Sequence, residues 1–134
     1  MEAGSTTGNG SDQRRILGHV LVEEDGTVRV LSFKHDERGA VNYDTVRAYF
    51  ASCMLEHTGG WPRLVIDLTG VPALDSAALG PLVQKLREVQ EARGRLVLTG
   101  VQAPALREIF SLTRFDRVFP IQPTRAAAVA LAAS

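Results

Sequence analysis

The sequence predicts an α/β domain built on a mixed, mostly parallel sheet of four to five strands with about four helices. Three observations carry this. Leu64-Val65-Ile66-Asp67-Leu68 and Leu96-Val97-Leu98 are short, almost unbroken apolar runs, as expected of strands covered on both faces. Helical periodicity stands between and after these runs, which calls for crossover connections and therefore parallel strands. Near the start, β-branched residues flank a Glu24-Asp25-Gly26 turn, a hairpin signal that makes the sheet mixed.

In chain order, the stretch 1–14 opens with MEAGSTTGNGS, polar and glycine-rich, and is expected to be a disordered leader ahead of one domain over 15–134. Strands are predicted from Ile16 to Val22 and from Thr27 to Phe33, followed by a charged loop from Lys34 to Val41. Asp44 or Thr45 is placed as the cap of a helix running to about Leu55. Val46, Tyr49, Phe50, Cys53 and Met54 supply its apolar stripe, and Thr58-Gly59-Gly60 ends it. After the first apolar run, a helix from Ala77 to Arg93 carries Leu79, Leu82, Val83, Leu86 and Val89 on one side. Gln84, Lys85, Arg87, Glu88 and Glu91 lie opposite, and Gly94 closes it. Pro104 starts a further helix with Leu106, Ile109, Phe110 and Leu112 inward. Val118 to Ile121 is read as a short edge strand, and Thr124 as the cap of an alanine-rich helix from Arg125 to Ala132.

The totals exclude several function classes. Lys plus Arg and Asp plus Glu are both 15 in 134 residues, so no basic excess points to nucleic acid. Cys53 is the single cysteine, which rules out an internal disulfide or a thiolate zinc cluster. His19, His35 and His57 lack metal-site spacing, and neither a dinucleotide fingerprint nor a phosphate loop occurs, so no cofactor is expected. No apolar run is long enough to span a bilayer, which leaves no direct membrane insertion and a cytoplasmic setting as the expectation.

The chemistry gathers at A-L-D-S-A-A-L-G, Ala73 to Gly80, where an acid and a hydroxyl stand at the start of a helix. Ser76 has three readings. As a nucleophile it would need a strained Gly-x-Ser-x-Gly elbow and a base; Leu74 and Ala78 occupy the glycine positions, Asp75 is too close to act as base, and no enzyme activity is expected. As a cap, Ser76 or Asp75 would satisfy the first free N–H groups, worth roughly 1 kcal/mol. As a phosphate acceptor, Ser76 would place a dianion where the helix end tolerates it, next to Asp75.

These residues, and the blocks around them, resemble the STAS-domain family, the anti-sigma factor antagonists. The resemblance runs from about Val28 to the C-terminus. It is strongest over RLVIDLTGVPALDSAALGPL, Arg63 to Leu82, and continues through RGRLVLTGV and ALREIFSLTRFDRVFPI. It implies a small α/β domain that captures an anti-sigma factor serine kinase when unphosphorylated. The kinase phosphorylates the serine after the turn's aspartate and so releases the antagonist, and a serine phosphatase resets it. By position that serine is Ser76 and its acid is Asp75. Asn42 falls where the family carries an aspartate close to the phosphorylation site.

Three departures from the family pattern bear on the site. Ala78 replaces the turn's glycine, so its position must be reachable without positive φ. Pro81 sits early in the helix, for which a distorted first turn, or a helix regular only from near Gly80, is expected. The loop before Thr45 is longer. The partner surface is expected around Asn42, Gly70 to Leu74, and Asp75, Ala77, Ala78, Leu79 and Gly80, with exposed Gln84 and Lys85 adding to it. A non-switching subunit of a lipid-transport or signalling complex, with Ser76 only a cap, is the alternative.

Overall fold

The computed structural model describes residues 16–134; the expected leader lies outside them. Five strands form one sheet in sequential order: β1 (Val20–Asp25), β2 (Val28–Phe33), β3 (Arg63–Asp67), β4 (Arg95–Thr99) and β5 (Ile121–Gln122). Only β1 and β2 are antiparallel; β2, β3, β4 and β5 run parallel. The helices are α1 (Tyr43–Ala48), α2 (Leu55–Thr58), α3 (Ser76–Glu91), α4 (Pro104–Leu112), α5 (Phe115–Val118) and α6 (Arg125–Ala133). A wide π turn, Tyr49–Cys53, joins α1 to α2.

Alternation sorts the strand residues to two faces. Leu31, Phe33, Leu64, Ile66, Leu68, Leu96 and Leu98 look into the main core, which α1, the π turn, α3 and α4 complete. Val28, Val30, Val65 and Val97 look the other way and are covered by Ala128 and Ala132 of α6. Small residues on α6 let it lie close to the β-branched row. In the main core Phe33, Tyr49 and Phe50 meet edge to face at 5.6–5.8 Å, a geometry worth about 0.5–1.5 kcal/mol per pair beyond area burial. Cys53 is buried there as an apolar residue, and Trp61 packs a loop under the Arg29 guanidinium, 4.0 Å from the ring.

Several elements differ from the sequence reading, each for a local reason. Ile16 and Leu17 are helical, and β1 begins only at Val20, opposite Phe33. The hairpin loop is Gly26-Thr27, with Gly26 at φ 63 as its first central residue, so the glycine serves a type II′ turn rather than a turn centred on Asp25. Asn42, not Asp44 or Thr45, caps α1: its Oδ1 accepts from Thr45 N at 3.0 Å. That helical stretch runs through the π turn to Thr58 rather than stopping at Leu55. Leu112 is 73% exposed, because it sits two residues beyond inward-facing Phe110 and therefore on the opposite side of α4. Val118 ends α5, a turn opened by Arg114 at φ 61, so the last strand starts after Pro120.

The end of α3 shows glycine used for close approach. Arg93, not Gly94, takes the left-handed conformation at φ 60, and Gly94 N donates to Val89 O at 2.7 Å, a Schellman closure. A Cβ at Gly94 would lie 1.9 Å from the Pro62 carbonyl oxygen, so only glycine fits.

Candidate functional site

The site lies at the carboxyl end of β3, where open α/β sheets commonly place their function. The chain leaves β3 at Asp67 and turns through Thr69-Gly70. Gly70 has φ +86, and a Cβ there would meet His35 Nε2 and Val41 Cγ2 at 2.8 Å. Val41 N donates to Gly70 O at 3.3 Å, and His35 Nε2 lies 2.9 Å from Thr69 O. The charged loop before α1 is thereby docked on the β3–α3 loop, and the starts of α1 and α3 come to the same end of the sheet.

Asp75 is the N-cap of α3, extended at φ −115, with its Oδ1 accepting from Ala78 N at 3.3 Å. Leu79 N donates to Asp75 O at 2.9 Å, so helical pairing begins at once. Leu74, Ala78 and Leu79 are buried and pin this turn to the main core, while Ser76, Ala77 and Gly80 are exposed. The capping role therefore belongs to Asp75, and Ser76 is the first helical residue with its side chain outward. The helix starts at Ser76 despite Pro81, not near Gly80. Proline at that point removes only the N–H that would have reached Ala77 O, on the solvent side. Ala78 occupies an ordinary helical position, without positive φ.

Two residues that the sequence reading missed frame Asp75 from α1. Arg47 Nε stands 3.6 Å from Asp75 Oδ2. Tyr43 lies against the same carboxylate; burial first, then Asp75, pushes its phenol above the ordinary range. Spacing of four residues on one helix puts Tyr43 and Arg47 on one side of α1, and that was the available signal. Asn42 spends its side chain on Thr45, accepting from both its N and, at 3.3 Å, its Oγ1. It joins the site through Tyr43, its neighbour. Gln84 is exposed as expected, but Lys85 is buried: it falls three residues after Leu82, on the inner side of α3, and its Nζ reaches Glu88 at 3.1 Å.

A second polar cluster lies on the sheet's other face. Asp67 is buried and accepts from Thr69 N at 3.0 Å, Thr69 Oγ1 at 2.6 Å and Arg125 Nε at 3.1 Å. Arg125 also reaches Glu23 Oε1 at 2.8 Å, tying α6 to β3 and β1. Burial opposes ionisation of Asp67, but the Thr69 and Arg125 bonds outweigh it and hold the carboxyl below its ordinary range. Among the described residues no group of His, Cys, Asp and Glu is arranged to hold a metal, and no helix is long and apolar enough to cross a membrane.

Residues 38–128 match the sequence profile of the STAS domain. This span is more than half of the chain, and the protein belongs to the STAS-domain family. More particularly, its relatives are named as anti-sigma factor antagonists. The chain is 29% identical over 93 residues to BtrV of Bordetella bronchiseptica, which bears that name; the match covers 69% of this chain and 79% of BtrV. The crystal structure of an anti-sigma factor antagonist from Mycobacterium paratuberculosis shares 28% identity at a TM-score of 0.66, covering 86% of this chain and 93% of that one. A Thermotoga maritima structure of the same designation shares the fold, at 20% identity and a TM-score of 0.70, over 86% of this chain and 95% of its own.

Proposed function

We propose that the protein is an anti-sigma factor antagonist working by partner switching: unphosphorylated, it holds an anti-sigma factor serine kinase, and phosphorylation of Ser76 releases it. The observation that carries this is the division of labour at the helix start. Asp75 does the capping, which leaves the Ser76 hydroxyl exposed and free of any structural duty. A kinase can therefore reach it without unfolding the turn. Phosphorylation adds about −1.5 to −2 charge to a surface that already carries Asp75, repelling a docked partner while the buried Leu74, Ala78 and Leu79 keep the fold unchanged. The names of the relatives support the antagonist role, and the ATP-dependent step belongs with a cytoplasmic kinase and a resetting serine phosphatase. The chain itself supplies no catalysis in this scheme.

The test is incubation with the cognate kinase and ATP, followed by mass-spectrometric mapping. Phosphate is expected on Ser76 and is expected to vanish in Ser76→Ala. Modification at another residue, or undiminished in that variant, overturns the proposal.

A further inference from the structure

Arg47 meets the residues on either side of Ser76. Its guanidinium contacts Asp75, the residue before Ser76, through Nε at 3.6 Å. It also lines an open hollow of about 500 Å³ with Ala77, the residue after it. The other walls are Asp44, Ala48, Ala51 and Ser52, so small side chains leave room there, and among the described residues Arg47 is the hollow's only cation. Its contact with Asp75 is longer than a hydrogen bond, and both side chains are about half exposed, at 52% and 44%. Such a half-exposed pair contributes little and is readily exchanged for a better one. The other carboxylate oxygen of Asp75 is engaged by Ala78 N, so Asp75 keeps its place when Arg47 leaves.

We propose that Arg47 is the internal receiver of the Ser76 phosphate: on phosphorylation its guanidinium exchanges Asp75 for the phosphate and draws it into the hollow against α1. This deepens the partner-switching reading and rests on Ser76 being the modified residue. A guanidinium matches phosphate oxygens in a paired geometry that a single carboxylate contact through Nε does not use. The exchange gives the released form its own set of contacts. The surface that met the partner then differs in two ways, by the added phosphate and by the removal of Arg47 from Asp75. The groups around the phosphate are Tyr43, Asp44 and Arg47 from α1 and Asp75 from the cap; the carboxylates oppose its second ionisation, Arg47 favours it, and Tyr43, its phenol held above the ordinary range, stays neutral there.

The test places phosphoserine at position 76 during translation, with no kinase, and follows its second ionisation by phosphorus NMR. An isolated phosphoserine titrates near pH 6; in Arg47→Gln the midpoint is expected about half a unit higher than in the parent phosphoprotein. Arg47→Lys should recover part of the difference, as a charge effect requires. Asp75→Asn removes the competing carboxylate and is expected to lower the midpoint below that of the parent. Identical titration of the parent and Arg47→Gln overturns the proposal. An Arg47-dependent midpoint in a protein that no kinase modifies at Ser76 instead sinks the switching reading and leaves the receiver intact.

Discussion

Two helices of this domain, α3 and α6, start with the same chemistry and end in opposite roles. In α3 the cap is Asp75 and the first helical residue is Ser76; in α6 the cap is Thr124, accepting from Ala127 N at 3.1 Å, and the first residue is Arg125. Arg125 is tied down by Asp67 and Glu23, whereas Ser76 is exposed and uncommitted. A satisfied cap thus settles nothing about availability. What decides is whether the next side chain is used by the fold, and the contrast separates a structural clamp from a hydroxyl that the fold leaves exposed.

The contrast can be broken from either side. The largest expected effect is on the proposed binding: under partner switching, Ser76→Asp should weaken capture of an anti-sigma factor kinase by about 100-fold, or 2.7 kcal/mol, measured by calorimetric titration, with an unchanged melting temperature. Next comes the clamp. Asp67→Ala leaves Arg125 with Glu23 alone and should cost about 2 kcal/mol in urea unfolding, discounted from the fully buried case because Arg125 is 39% exposed. The clamp also has a pH signature. The folded carboxyl of Asp67 titrates below its unfolded value, so its contribution is complete above about pH 4 and is lost as pH falls through the folded value. Asp67→Asn should flatten the acid limb of the stability curve. Smaller still, Asp75→Ala removes a cap and should cost about 1 kcal/mol. Ser76→Ala should stay within about 0.5 kcal/mol of the parent. If Ser76→Ala proved as costly as Asp75→Ala, the division between cap and free hydroxyl would fail.

Much of this was legible in the chain. The apolar runs at Leu64–Leu68 and Leu96–Leu98 marked the buried strands because a strand covered on both faces admits little else. The stripe through Leu79, Leu82 and Leu86 marked α3, and the Asp75-Ser76 pair marked its start. Errors arose where short-range signals competed. Asn42, Asp44 and Thr45 are all good caps, and only the docking of Val41 on Gly70 selects the first. Val118 looks like strand material, but the left-handed Arg114 commits it to a helical turn. Lys85 looks solvated until its place beside Leu82 is taken seriously. The partners of Asp75 were hidden for a different reason: Tyr43 and Arg47 lie about thirty residues upstream, and their meeting depends on the fold. Asp67 and Arg125, further apart still, carry no local sign of each other.

The π turn at Tyr49–Cys53 sets how the chain could vary in length. It holds one residue more than a regular helical turn needs, so deleting one residue there would leave α1 and α2 as a continuous α-helix. Because the wide turn is what takes up the extra residue, the segment beyond it would keep its facing. Leu55, 67% exposed, would still face solvent, and His57 would stay on the side where its Nδ1 now lies 3.1 Å from Tyr49 Oη. Arg47 and Asn42 precede the turn and would stay where they are. A single-residue deletion at this point would therefore be taken up locally, sparing the far end of the helical layer as well as the end that holds Ser76.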